Sequence, residues 1–153
     1  MSYHIHIQNA GDRSLSPATS LLRTWAKTAL KQQGVEEAEV TLRLVNIEEM
    51  TYLNETYRRK KGPTNVLSFP MQLPEIVAHN HLLGDIVICS NIIQQEANDQ
   101  HIPVANHWAH MVVHGILHLL GHDHLNEDDA AQMEKEEISI LNLLGFENPY
   151  STQ

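Results

Sequence analysis

From Pro103 to about Leu120 the chain carries apolar side chains nearly all round a helical wheel, with Val104, Trp108, Met111, Val112, Val113, Ile116, Leu117, Leu119 and Leu120 spread over every face. A helix of that kind has no solvent side, so it must sit at the centre of the fold with other elements packed on it. Four histidines, His107, His110, His114 and His118, are set into this helix, and His101, His122 and His124 lie close by. His114 and His118 are four residues apart and therefore share one side, about 6 Å apart along the axis. Gly121 follows three residues later, where a residue free to take φ > 0 can end the helix and turn the chain back, bringing His124 within reach as a third ligand. Three imidazoles with no fourth protein ligand make a catalytic kind of zinc site, whose open position holds water or substrate.

The wheel alone does not choose the ligands, because His107, His110, His114 and His118 share one side. Distance narrows the choice: His110 and His118 are about 12 Å apart along the axis, too far to share one ion at nitrogen–metal bonds of about 2.0–2.1 Å. Only one i, i+4 pair can be used. His110 with His114 is the alternative pair, but Gly121 returns the chain beside His118, which favours His114, His118 and His124. His122 is expected to point away from such an ion and to be a surface histidine. Asp123 is either an outer partner of a ligand histidine or a turn-stabilising aspartate. The spacing matches the extended zinc-protease motif H-E-x-x-H-x-x-G-x-x-H at every position but one. Gly115 stands where the protease has its general-base glutamate, so peptide hydrolysis is disfavoured against chemistry with a better leaving group or a substrate that brings its own nucleophile.

The rest of the chain supplies the elements around this helix. Alternation in residues 3–8 predicts a strand with Ile5 and Ile7 inward and both histidines in solvent. Ser16 and Pro17 predict the start of a helix of about 17–33, with Leu21, Leu22, Trp25, Ala29 and Leu30 as its apolar stripe and Gly34 closing it. A strand of about 39–46 follows, then a helix of about 47–57 capped by Asn46 with Ile47, Met50, Leu53 and Tyr57 buried. A basic loop, RRKKGPTN, leads to a strand at 65–71 limited by Pro70. QLPEIVAHNH reads as a loop, and GDIVIC at 84–89 as a strand covered on both faces. A short helix at 91–100 precedes the central one, and Asn126 caps a last helix of about 127–144 with Ala130, Met133, Ile138, Leu141 and Leu144 inward. The expected fold is α+β with an α/β-like order: a small mixed four-stranded sheet, mostly parallel with one antiparallel strand, covered by about five helices, one of them a zincin-like metal helix. Helical connections favour parallel neighbours for the first three strands, and the loop after the third favours an antiparallel pairing with the fourth.

A length of 153 residues suits a single domain spanning 1–153. No apolar run approaches the roughly 18 residues needed to cross a bilayer, and the N-terminus has no basic-then-apolar stretch, so a cytoplasmic protein without a membrane partner is expected. Cys89, the lone cysteine, reads as a small core residue. A net charge of −9 argues against a general nucleic-acid-coating protein. Yet the basic residues lie almost entirely in the first 61 positions, with Arg58, Arg59, Lys60 and Lys61 consecutive, while Glu127, Asp128, Asp129, Glu134, Glu136, Glu137 and Glu147 crowd the other end. A basic site on an acidic body fits that distribution.

The stretch His114 to His124, HGILHLLGHDH, resembles the signature H-G-x-L-H-L-x-G-Y-D-H of the YbeY family of bacterial endoribonucleases, with His122 in place of the usual tyrosine. NVLSFP at 65–70, LGDIVIC at 83–89, the Met50 to Tyr57 helix and Arg59 extend the resemblance over most of the chain. It implies a metal-dependent endoribonuclease acting on single-stranded RNA, in maturation of the 3′ end of the small-subunit (16S) ribosomal RNA and in ribosome quality control. It also implies association with the ribosome or small-subunit proteins, three histidine metal ligands, and a functional arginine at Arg59. A guanidinium can grip a phosphate through two hydrogen bonds and stabilise charge gathering on its oxygens, which is what a phosphodiester transition state requires. Arg58, Lys60 and Lys61 would follow the RNA backbone. Asn65 and Ser68 are candidates for the cleft wall, with a strand-capping asparagine and a strand serine as the equal alternative. The expected ion is one divalent metal, zinc first and nickel second, since imidazoles accept several metals. The rival readings are a zincin-like metalloprotease whose base comes from elsewhere, and a non-catalytic ribosome-assembly factor in which metal acts as a staple.

Overall fold

Residues 1–71, 81–123 and 125–151 are described by a computed structural model. The predicted loop at 72–81 lies, up to residue 80, outside the described residues, as does His124. Strands β1 (Ser2–Asn9), β2 (Glu37–Val45), β3 (Val66–Pro70) and β4 (Leu82–Cys89) form one sheet in the order β1-β2-β4-β3. The helices are α1 (Thr19–Gln32), α2 (Ile47–Leu53), α3 (Ser90–Gln100), α4 (Val104–Leu119) and α5 (Glu127–Leu143). β1 pairs parallel with β2, β2 parallel with β4, and β3 antiparallel with β4, so the mixed sheet with one antiparallel strand is present as expected.

The expectation that the first three strands run parallel fails at the third. β3 runs against the others, and β4 separates it from β2. The reason lies in composition: Ile86, Val87, Ile88 and Cys89 are all buried, so β4 needs cover on both faces and takes an interior position. β3 ends at Pro70, which cannot donate to a ladder and suits an edge.

The two faces of β4 separate two apolar clusters. Ile86 and Ile88 join the main core with Leu22, Trp25 and Leu30 of α1, Val40, Leu42 and Leu44 of β2, and the apolar residues of α4. Val87 and Cys89 face the other way and pack with Val45, Met50 and Leu67. As its composition requires, α4 is central: it packs on α1, α3, α5, β3 and β4. At Gly115 the helix lies close on the sheet, since a Cβ there would stand 2.7 Å from Cγ2 of Ile86.

Several local expectations shift. Pro17 lies outside α1, whose N-cap is Ala18, and the Ser16 hydroxyl serves the preceding 3₁₀ turn by donating to the Arg13 carbonyl. Leu21 and Ile47 are exposed, because α1 and α2 each bury a narrower stripe than their apolar content suggests, and Tyr57, expected on the buried face of the helix at 47–57, is exposed on the π-helical turn that follows α2. On α5 the buried residues are Met133, Glu137, Ile140 and Leu141, so a carboxylate occupies the stripe where Ile138 was expected. Asn46 and Asn126 do cap α2 and α5, each accepting from a backbone N–H three residues on at 2.9 Å.

Candidate metal centre and cleft

α4 places its histidines in a row along one side, and their neighbours divide them by role. His107 is buried and meets Glu96 of α3 at 2.8 Å. His110 Nε2 lies 3.1 Å from Oε2 of Glu137 and 3.2 Å from the Tyr150 hydroxyl. His114 Nδ1 lies 2.8 Å from the same Oε2. His118 follows one turn on, its ring centroid 4.6 Å from that of His114. Gly121, at φ 101°, then ends the helix, the left-handed turn expected of it.

His114 and His118 share the wall of a cleft of about 590 Å³ with Gly121, His122, Asp123 and residues from β3 and the basic loop. Both Asn65 and Ser68 line it. The predicted pair His114 and His118 is thus brought together on one surface, half-buried and open to solvent. His122, also on this wall, meets Oε1 of Gln33 at 2.9 Å, so its ring ties the turn to the end of α1.

The basic loop reaches the cleft by a distinct local device. After α2 the backbone widens into a π-helical turn, Asn54–Arg58, and Arg59 ends it in the left-handed region at φ 57°. Asn54 is buried and donates to the Gly62 carbonyl at 2.9 Å, which pins the loop back on its own helix. Arg58 donates to the Ser68 carbonyl at 3.0 Å. The loop lines the cleft with Arg58, Lys60, Thr64 and Asn65, whereas Arg59 is exposed and is not among the residues that line it.

His110, His114 and Glu137 offer three ligand atoms within 4.8 Å of one another, a set that could hold a metal ion. Sequence reasoning missed Glu137. Its only sequence signal is its i+4 spacing from Met133, in a helix whose other buried residues are apolar. Burial would raise the Glu137 carboxyl, but hydrogen bonds from His110, His114 and Tyr150 outweigh it and bring the group from 4.5 to about 2. The Tyr150 hydroxyl is pushed up in turn by burial and by its bond to that carboxylate.

The position of the absent protease base has a physical explanation. The face of α4 at Gly115 is pressed on Ile86, and its carbonyl accepts from Ser68 Oγ at 3.3 Å. A side chain at 115 would enter the sheet and not the cleft.

The family described as Endoribonuclease YbeY matches residues 6–145. The chain is 48% identical over 150 residues to the Endoribonuclease YbeY of Alcanivorax borkumensis, covering 96% of this chain and 86% of that protein. It is 54% identical over 137 residues to the Endoribonuclease YbeY of Methylococcus capsulatus, covering 90% and 89%. A protein of Thermotoga maritima solved in solution has the same fold, with a TM-score of 0.58 at 22% identity over 95% of this chain and 99% of that one.

Proposed function

The chain belongs to the YbeY endoribonuclease family, and from that premise we propose that it is a metal-dependent endoribonuclease that cuts single-stranded RNA. Its work is maturation of the 3′ end of small-subunit ribosomal RNA and ribosome quality control, in the cytoplasm and in contact with small-subunit proteins. One metallohydrolase domain carries the activity. The observation that supports this reading best is the shared cleft, with two imidazoles of α4 on one wall and the basic loop on the other.

His114, His118 and His124 hold one divalent ion, zinc in the first instance and nickel as the alternative. The described donors fit: two imidazoles one helical turn apart, with Gly121 ending the helix in a positive-φ turn just beyond them. An ion bound there supplies a Lewis acid for charge developing on a phosphate. The chain's own residues do the rest. Arg59, exposed and next in sequence to the cleft-lining Arg58 and Lys60, grips the scissile phosphate through two parallel N–H donors and stabilises the negative charge that grows on its oxygens. Arg58 is committed to the Ser68 carbonyl and fixes the loop on β3, while Lys60 lines the path of the neighbouring phosphate. Gly115 leaves the protease position without a base, which turns the site away from peptide hydrolysis.

Cleavage of single-stranded and structured RNA by the purified protein, with and without chelator, tests the reading. We expect cutting of single strands that chelator stops. His114→Ala should lose the metal, and Arg59→Ala should keep the metal and lose cleavage. Full activity in Arg59→Ala would sink the role given to that residue, and activity indifferent to chelator would sink the metal-dependent mechanism.

A further inference from the structure

We infer that Glu137 is the positioning residue of the metal helix: it holds His114 with the proton on Nδ1, so that Nε2 is the atom turned to the ion, while His110 braces the carboxylate from outside the ligand set. This rests on the metal site proposed above and goes beyond it to a residue on a different helix.

Glu137 is 1% exposed and shares its face of α5 with Met133, Ile140 and Leu141. A carboxylate in such a stripe is costly to desolvate unless donors surround it. Here they do, with His114 Nδ1 and His110 Nε2 on Oε2 and the Tyr150 hydroxyl on Oε1. An ionised carboxylate only accepts, so the nitrogen 2.8 Å away must carry a hydrogen, and a neutral ring protonated on Nδ1 has its lone pair on Nε2. Carboxylate–histidine–metal arrangements use this device to fix ring and tautomer.

Distance argues against Glu137 as a direct ligand. Two ligands of one tetrahedral ion, each at about 2.0–2.1 Å, stand about 3.3 Å apart. His114 Nδ1 and Glu137 Oε2 are 2.8 Å apart, the separation of a charge-assisted hydrogen bond. The second oxygen is taken by Tyr150.

The test uses the full chain, with zinc itself as the probe. Nitrogen chemical shifts of the histidine rings in metal-free wild type should show His114 as the Nδ1–H tautomer; an Nε2–H tautomer would overturn the proposal without any variant. In Glu137→Gln the tautomers should mix, and zinc affinity, measured by competition with a chromogenic chelator, should fall about 10- to 100-fold. His110→Ala should lower zinc affinity less than Glu137→Gln does. Wild-type zinc affinity in a folded Glu137→Gln protein would overturn the proposal, as would loss of zinc binding in His110→Ala, which would make His110 a ligand. Failure of the underlying metal reading looks different: His118→Ala would then bind zinc as tightly as wild type.

Discussion

Gly115 illustrates how one residue serves packing and chemistry together. With no side chain it lets α4 settle on β4, and the same absence removes the proton acceptor that a peptidase with this histidine spacing would need. Because the Cβ position is 2.7 Å from a fully buried isoleucine, even alanine must displace Ile86. We expect Gly115→Ala to lower the free energy of unfolding by about 1–3 kcal/mol from overpacking, less the roughly 1 kcal/mol that alanine returns in helix propensity. Urea unfolding of the metal-free protein measures the loss; stability above that of wild type would mean that the helix stands off the sheet more freely than this geometry allows.

Among the elements, the π-helical turn after α2 governs how the basic loop meets the cleft. It adds a residue to the last turn, so that Arg58 reaches β3 and the next residue must leave in the left-handed region. Asn54 holds this arrangement from beneath, buried and bonded to the Gly62 carbonyl. Asn54→Ala should therefore cost about 1–2 kcal/mol, the worth of a partly buried hydrogen bond and its unpaired acceptor. It should also slow RNA cleavage while leaving zinc content unchanged, since the metal helix is a separate element. Equal cleavage rates in variant and wild type would show that the loop needs no anchor there.

At the scale of the whole molecule, Glu137 joins α5 and the C-terminal segment at Tyr150 to the metal helix, and that linkage carries a pH signature. Its folded-state pKa of about 2 lies below its ordinary 4.5, so between those values the unfolded chain takes up the proton more readily. The stability contributed is present above about pH 4.5 and is lost as pH falls toward 2. Thermal unfolding of metal-free wild type and Glu137→Gln across that window should show the wild-type advantage shrinking with acid; a gap independent of pH would deny the linkage. Much of this molecule was legible without coordinates. The apolar character of α4 required a central helix, helical spacing put His114 and His118 on one side, and Asn46 and Asn126 announced the helix starts they cap. These are local matters, decided by residues a turn or less apart, so periodicity and capping chemistry suffice. The position of β4 between β2 and β3, the pressing of Gly115 on Ile86, and the meeting of His114 with a carboxylate 23 residues away were decided only by tertiary packing. Each depends on which surfaces meet when the helices close on the sheet: spacing from Met133 places Glu137 in the stripe of α5, but only that closure removes its carboxylate from water and leaves Glu134 exposed.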